Sequence, residues 1–549
     1  MTTPWWQSTV GYQIYPRSFC DSNADGIGDI PGITARLGHL SDLGVGFIWL
    51  SPVYRSPMVD NGYDISDYRD IAPEFGTLAD FDVLLAEARA RGIRIVMDLV
   101  VNHTSDEHDW FKKARAARDA ALRDFYVWRD PAPDGGPPTA LQSIFGGPAW
   151  TLDAATGQYY LHLFDPRQPD LNWHNPVLRR SIHEMMRWWL ERGVAGFRMD
   201  VIDLLGKDVD KGITVNGPLL HDHLREMRAA VLSEPETVAI GEVWSATPET
   251  ALLYCGRDRR ELSMVFQFAH VTQRWDGDHG KWQPRSMDLP ALKKTLNDWQ
   301  AVCATDGWNA LFWCNHDLPR AVSAFGDDGM YRVASAKMLA TVLHLMKGTP
   351  FVFQGEEIGM TNAPFTSVDQ FRDVETLNFH RIETARGMSE ETFLAAARTS
   401  SRDNGRTPMQ WDDTPGAGFS TGTPWIGINP NSSVVNVARD RADPAGVFAR
   451  YRALIALRGV SDTVRFGTYV PFAEDHPQVM AYAREFGAER IAVVANFGAT
   501  TIDFDPPDGL SMRGRSLFDP SERERDLGET VLLGPFEVIA IATPGAGFP

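Results

Sequence analysis

Runs of apolar, largely β-branched residues recur along the chain, and stretches of helical periodicity fill the intervals between them. Eight runs stand out: VGYQIYPRSF (10–19), VGFIWLSP (45–52), IRIVMDLVVNH (93–103), VAGFRMDVI (194–202), TVAIGEVW (237–244), ELSMVFQF (261–268), NALFWCNHD (309–317) and TPFVFQGEE (349–357). Near-continuous apolar runs suit strands buried on both faces, as in a parallel sheet covered by helices. DFDVLLAEARARG (80–92) and SIHEMMRWWLERG (181–193) read as two of those helices, each closed by a Gly that suits a helix end. Eight strand–helix units predict an α/β fold, a (β/α)8 TIM barrel.

Two stretches depart from this rhythm. Residues 104–175 are rich in Pro, Gly and aromatics, with DPAPDGGPPTA at 130–140, and predict an inserted domain after strand 3. An insertion at the C-terminal end of a barrel strand lands on the face that carries active sites. After VFARYRALIALRG (447–459) the pattern turns to short alternating segments, FGTYVPF, VMAYAREF, RIAVVANFG and VLLGPFEVIAIAT. These predict a C-terminal antiparallel β domain, a β-sandwich, over 465–549. The barrel then occupies 1–103 and 176–464, with a helical excursion near 365–410.

The length of 549 residues fits this division, because one hydrophobic core stops growing near ~250–300 residues. A formal net charge of −19 disfavours a phosphate backbone, so nucleic acid is not an expected partner. Four scattered cysteines (Cys20, Cys255, Cys303, Cys314) do not form a disulfide framework or a zinc cluster pattern. No run approaches the ~18 apolar residues of a membrane helix, and MTTPWWQSTV lacks a basic stretch leading into an apolar one. The expectation is a cytoplasmic protein, monomer or homodimer, with no membrane partner and no organic cofactor.

Candidate chemistry gathers at the strand ends. The third strand ends in Asp98 and Asn102-His103, the fourth in Arg198-Met199-Asp200, the fifth in Glu242 and the seventh in Asn315-His316-Asp317. Barrel enzymes carry their functional residues at these ends. Arg198 and Asp200 are two apart and share a strand face, so the guanidinium is expected to hold Asp200 ionised. Glu242 follows the apolar VAIG, where desolvation would let a carboxyl keep its proton. One charged and one protonated carboxyl are what glycoside hydrolysis uses, and Asp317 adds a third able to grip sugar hydroxyls.

A separate cluster, Asp21-x-Asn23-x-Asp25-Gly26-Ile27-x-Asp29, places oxygen ligands at alternate positions as a calcium loop does. Gly32 stands where an EF-hand has Glu, so the expectation is a structural Ca²⁺ or Mg²⁺ on Asp21, Asn23, Asp25, Ile27 and Asp29. Gly418-Phe-Ser420-Thr-Gly422 imitates a hydrolase elbow, but it lies in a Gly/Pro-rich loop.

DLVVNH (98–103), GFRMD (196–200), IGEVW (240–244) and NHD (315–317) resemble the four signature regions of the α-amylase superfamily, glycoside hydrolase family 13. QPDLN (168–172) resembles the extra motif of its oligo-1,6-glucosidase branch, and FQGEEIGM and RDNGRTPMQW extend the likeness almost end to end. The resemblance implies a retaining mechanism with Asp200 as nucleophile, Glu242 as acid/base and Asp317 as transition-state stabiliser. It places Asp60, Tyr63, His103, Gln168, Arg198, His316 and Arg402 around a terminal glucose, with Tyr63 as stacking ring and Asp60 and Arg402 closing the pocket. Phe145 and Phe164 join that substrate set. Val201, in this family, accompanies α-1,6 cleavage, and Lys281 and Glu375 resemble acceptor-side residues of dextran glucosidases. Cys314 and Gly405 depart from the family's usual Asn and Ala.

The implied activity is exo-acting release of glucose from α-1,6-linked gluco-oligosaccharides: isomaltose, isomalto-oligosaccharides, panose and short dextrans. Transglucosylation or α-1,4 cleavage on the same scaffold are the alternatives. A trehalose-6-phosphate hydrolase or a non-catalytic transporter-associated relative fits less well.

Overall fold

The eight apolar runs become eight parallel strands in a computed structural model that describes residues 3–232, 236–510, 513–518 and 524–543. Residues 1–2 and 544–549, the outer ends of the first and last expected segments, lie outside the described residues. The strands are β1 (Gly11–Ile14), β2 (Phe47–Leu50), β3 (Arg94–Leu99), β4 (Gly196–Met199), β5 (Val238–Glu242), β6 (Met264–Phe266), β7 (Ala310–Leu311) and β8 (Thr349–Phe353). They hydrogen-bond in the order β6-β5-β4-β3-β2-β1-β8-β7, and a single parallel bridge between Val265 and Asn309 links the two ends. The result is a nearly closed barrel. Gly11 pairs with both Phe47 and Phe351, and a Cβ there would come within 2.5 Å of the Phe47 ring. Only glycine lets those two rings fill the barrel's lower end.

A helix follows each strand: α1 (Ile30–Leu43), α2 (Leu78–Ala90), α3 (Pro176–Arg192), α4 (Leu220–Val231), α5 (Pro248–Cys255), α6 (Leu289–Val302), α7 (Arg332–His344) and α8 (Val447–Val460). In α3 the Asn175 side chain accepts from the amides of Val177 and Leu178, Pro176 opens the first turn, and Gly193 ends the helix at φ 116°. Its inner face buries Leu178, Ile182, Met185, Met186 and Trp189. Each aliphatic side chain so buried contributes roughly 1.5–3 kcal/mol. The α2 helix ends on a glycine as expected: Gly92 follows the cap Arg91 at φ 73°, and the amides of Gly92 and Ile93 donate back to the carbonyls of Arg89 and Ala88.

Between β3 and α3, Trp128–Arg129, Gln158–Leu161 and Trp150–Asp153 form a three-stranded antiparallel sheet. The Lys207 ammonium pins this segment to the barrel, donating to Asn102 Oδ1 and Asp170 Oδ2 at 2.7 Å each. Between β8 and α8 lie the helices Val374–Ala385 and Glu390–Ser400, followed by the short Asp403–Arg406 and Val437–Ala442.

The C-terminal part packs a six-stranded sheet, three of whose strands are Thr468–Phe472, Val479–Phe486 and Glu489–Asn496, against the pair Ile502–Phe504 and Val531–Leu533. Val479, Val494, Phe504, Leu533 and Ile541 fill the space between. The run VLLGPFEVIAIAT does not make one strand. It breaks at Gly534-Pro535, where Phe536 takes φ 51°, so Val531–Leu533 joins one sheet and Val538–Ala542 the other. Lys293 of α6 ties this domain to the barrel, donating to the carbonyls of Ala473, His476 and Val479 at 2.6, 2.6 and 3.0 Å. Burial lowers its ammonium to about 8.

Candidate active site

The ends of β3, β4 and β5 meet on one buried guanidinium. Arg198 donates to Asp98 Oδ1 at 2.8 Å and to Asp200 Oδ1 at 2.9 Å, and stands 2.9 Å from Glu242 Oε2. Its flat cation lies 4.8 Å from the centre of the Trp49 ring beneath it. Glu242 also accepts the Val201 amide at 2.9 Å and the Trp244 indole N–H at 3.0 Å. Val201 holds φ 36°, a left-handed conformation that a β-branched residue adopts only when its surroundings impose it.

The charge pattern corrects the expectation drawn from Arg198 and Asp200 alone. Burial, reinforced by the charge of Glu242, pushes the Asp200 carboxyl well above its ordinary range against the pull of Arg198. The guanidinium is divided among three carboxylates, so it cannot keep Asp200 ionised by itself. Burial likewise raises Asp98 to about 6 despite Arg198. Carboxylates this close titrate as a set that shares protons.

Asp317, beyond β7, has the opposite surroundings. Burial would raise it, but Arg406 at 2.8 Å and Arg402 at 3.3 Å, with His316 at 3.1 Å, hold it well below the usual carboxylate range. Burial drops His316 to about 3 and His103 to about 4, so both are neutral hydrogen-bonding groups near pH 7. The Tyr63 hydroxyl donates to Asp98 at 2.9 Å and lies 2.6 Å from His316 Nε2, its ring stacked on that imidazole with planes 7° apart.

These groups surround a cavity of about 470 Å³. Asp60, Tyr63, His103, Phe145, Phe164, Asp200, Val201, Glu242, Lys281, Asp317, Glu375 and Arg402 line it. Gln168, Arg198 and His316 stand behind that lining, each in contact with it. Gln168 donates to Asp60 Oδ2 at 3.2 Å and lies 3.2 Å from His103 Nε2. One end is blocked by Arg402, which reaches Asp60 at 3.1 Å and Asp373 at 2.6 Å with its cation over Phe145. Burial lifts Asp60 to about 6 against that arginine. Lys281 lies 2.6 Å from Glu375, which in turn stands 3.3 Å from Arg402, so one acid joins both cations.

Sequence reasoning gave no role to several residues that build this site. Asp98 was noted only as a strand end. Asp373 and Arg406, both buried, hold Arg402 and Asp317 in place. Trp244 sits two residues beyond Glu242, a spacing that could have marked it as facing the same side. The two departures are accommodated: the Cys314 thiol donates to Glu356 at 3.4 Å, and a Cβ at Gly405 would stand 2.7 Å from the Leu318 carbonyl oxygen.

Residues 13–467 match the alpha amylase catalytic domain. The chain is 50% identical to a palatinase of Erwinia rhapontici over 98% of its length and 99% of the relative's. It is 49% identical to an oligo-1,6-glucosidase of Halalkalibacterium halodurans, covering 98% of each. The crystal structure of Bacillus licheniformis trehalose-6-phosphate hydrolase superposes with a TM-score of 0.93 at 43% identity, over 98% of this chain and all of that one. The chain belongs to the alpha-amylase family. It is a glycoside hydrolase of that family by these matches, and its barrel, insertion and β domain are those of its relatives' fold.

In this alpha-amylase-family chain the 21–29 loop lies apart from the pocket. Asp21 accepts from the amides of Asn23, Ala24 and Gly26 and from the Ser420 hydroxyl, which is where the elbow-like serine ends up. Asn23 and Asp25 accept from the amides two residues on, and Asp29 caps α1 through the Gly32 amide. Among the described residues no group of three His, Cys, Asp or Glu side chains is arranged to hold a metal. No helix among them is long and apolar enough to cross a membrane.

Proposed function

We propose that the chain is a retaining, exo-acting α-glucosidase that releases glucose from the non-reducing end of α-1,6-linked gluco-oligosaccharides. The observation that carries this reading is the blind pocket: three carboxylates at its floor and an Arg402–Asp60 ion pair across its end. A chain end fits such a pocket and a chain interior does not. The names borne by the palatinase and oligo-1,6-glucosidase relatives support the linkage, as does Val201 after Asp200.

In this proposal Glu242 enters the reaction as the acid and Asp200 as the nucleophilic carboxylate. Glu242 protonates the glycosidic oxygen as the Asp200 carboxylate attacks the anomeric carbon; the bond to the leaving sugar breaks and a glucosyl ester forms. Glu242 then takes a proton from water, whose oxygen displaces Asp200 and restores the α configuration. Asp317, kept charged by Arg402 and Arg406, grips the sugar hydroxyls as positive charge develops at the ring. Neutral His103 and His316 hydrogen-bond without adding charge. Of the cations lining the cavity, Lys281 and Arg386 are already paired with Glu375 and Glu383.

Glucose release from isomaltose, panose and maltose tests the reading. Isomaltose and panose should be cleaved well ahead of maltose, and no glucose from any of the three would overturn it.

The same proposal includes a structural Ca²⁺ or Mg²⁺ at the 21–29 loop, supported by the alternating oxygens of Asp21, Asn23, Asp25 and Asp29. Binding requires those side chains to turn toward one point. A melting midpoint unchanged between chelator and added Ca²⁺ or Mg²⁺ would remove the metal from the proposal. A cytoplasmic location fits four buried free cysteines, and sedimentation decides between monomer and homodimer.

A further inference from the structure

Glu242 is held on both oxygens by donors that come from different loops. Val201, just past β4, gives its amide to Oε2 at 2.9 Å, and Trp244, just past β5, gives its indole N–H to Oε1 at 3.0 Å. Both donors lie beyond the ends of their strands, so the sheet ladder does not fix them. An acid displaced by about 1 Å loses much of its rate, and the two loops therefore need a tie of their own.

Asp203 spans them. It sits in the turn Ile202–Leu204 that follows Val201, and it is buried. Its Oδ2 accepts the Ser245 hydroxyl and, at 3.1 Å, the Ser245 amide. Asn216 reinforces the join, donating its amide to the Asp203 carbonyl at 2.9 Å and its side chain to Ser245 Oγ at 3.0 Å. Tyr254 of α5 in turn donates to Asn216 Oδ1. Burial raises the Asp203 carboxyl to about 6 against the pull of both Ser245 donors, which leaves it an ionised acceptor near pH 7. A buried carboxylate that takes two donors from one residue makes a strong tie.

We infer that Asp203 is a positioning residue for the acid/base: it clips the loops after β4 and β5 together and so keeps the Val201 and Trp244 donors on Glu242. The inference rests on the glucosidase reading above. Its chemical consequence is selective. A poor leaving group departs only as Glu242 delivers a proton to the glycosidic oxygen, whereas a dinitrophenolate departs with little help. Loosening the tie therefore penalises phenyl α-glucoside and spares 2,4-dinitrophenyl α-glucoside, although the two place the same ring beside the glucose. Asp203 also lines the cavity, but a direct grip on substrate would not sort these two by leaving-group strength.

The test measures kcat/KM on both aryl glucosides for the parent, Asp203→Ala, Asp203→Asn and Ser245→Ala. In Asp203→Ala the phenyl substrate should lose about 10- to 100-fold, a part of what general acid catalysis is worth, and the dinitrophenyl substrate less than about threefold. Asp203→Asn keeps an oxygen for both Ser245 donors and should recover most of the phenyl glucoside rate. Ser245→Ala removes only the hydroxyl half of the tie, so it should show the same selectivity at smaller size, and it decides the matter alone if Asp203→Ala does not fold. Equal losses on the two substrates would overturn the inference, as would an asparagine variant no better than alanine or a Ser245→Ala without selectivity. A parent that releases no glucose from isomaltose would instead sink the glucosidase reading itself.

Discussion

Replacing Lys207 by Met removes one ammonium and keeps the length and apolar stem of the side chain. The consequence can be worked from its contacts. Lys207 is 5% exposed and gives Asn102 and Asp170 a 2.7 Å hydrogen bond each, while Asp170 is fully buried. Without the ammonium, Asp170 keeps only the Leu163 amide at 2.9 Å and the Asn102 amide group at 3.4 Å as donors. Breaking a buried ion pair on one side costs about 3–5 kcal/mol. With an unfolding entropy near ~2.1 cal/mol/K per residue, 549 residues melting together carry about 1.2 kcal/mol/K. The midpoint of Lys207→Met should therefore fall by about 3–4 °C in calorimetry. Adding Asp170→Asn removes the orphaned charge, so the double variant should regain most of the loss. Asp170 also pairs with His103 across a β-bridge, so the single variant should bind substrate more weakly, read as a higher KM. A single variant within 1 °C of the parent, or a double variant less stable than the single, would refute the reasoning.

Asp200→Asn keeps shape and burial but cannot form the glucosyl ester, so turnover on isomaltose should fall at least about 10⁴-fold with the melting midpoint preserved. A residual rate within a hundredfold of the parent would refute the nucleophile assignment. Glu356, buried where it accepts from Tyr451 at 3.0 Å, is raised by that burial from 4.5 to about 7. A folded-state value above the unfolded one means stability that is present at acid pH and lost as pH rises through about 7. Relative to Glu356→Gln, whose neutral amide does not titrate, the parent should lose melting temperature between about pH 5 and 8; parallel profiles would contradict this.

The barrel was legible because its strands are buried on both faces, so their apolar residues run together without interruption. That pattern located all eight strands, and their ends carried the carboxylates of the pocket. What escaped depends on neighbours far away in the chain. Arg198 was read beside Asp200 alone, yet Asp98 and Glu242, from two other strands, take equal shares of it. The reversal of the Asp200 shift follows from its burial and from the charge of Glu242 beside it, which no local spacing encodes. Asp373 caps the helix Val374–Ala385 and Arg406 ends the single turn Asp403–Arg406, and their importance arises only where Arg402 and Asp317 meet them. The division of VLLGPFEVIAIAT between two sheets could have been read from Gly534-Pro535, since proline cannot serve a continuous ladder.

Val201 carries two duties on one residue. Its side chain lines the cavity next to Asp200, while its strained backbone aims an amide at Glu242. Any exchange there alters the torsional balance that holds the amide in place, glycine most of all, because glycine relaxes the φ of 36° at no steric cost. Efforts to redirect linkage choice through this position will therefore also move the amide that holds Glu242, and the two traits change as one.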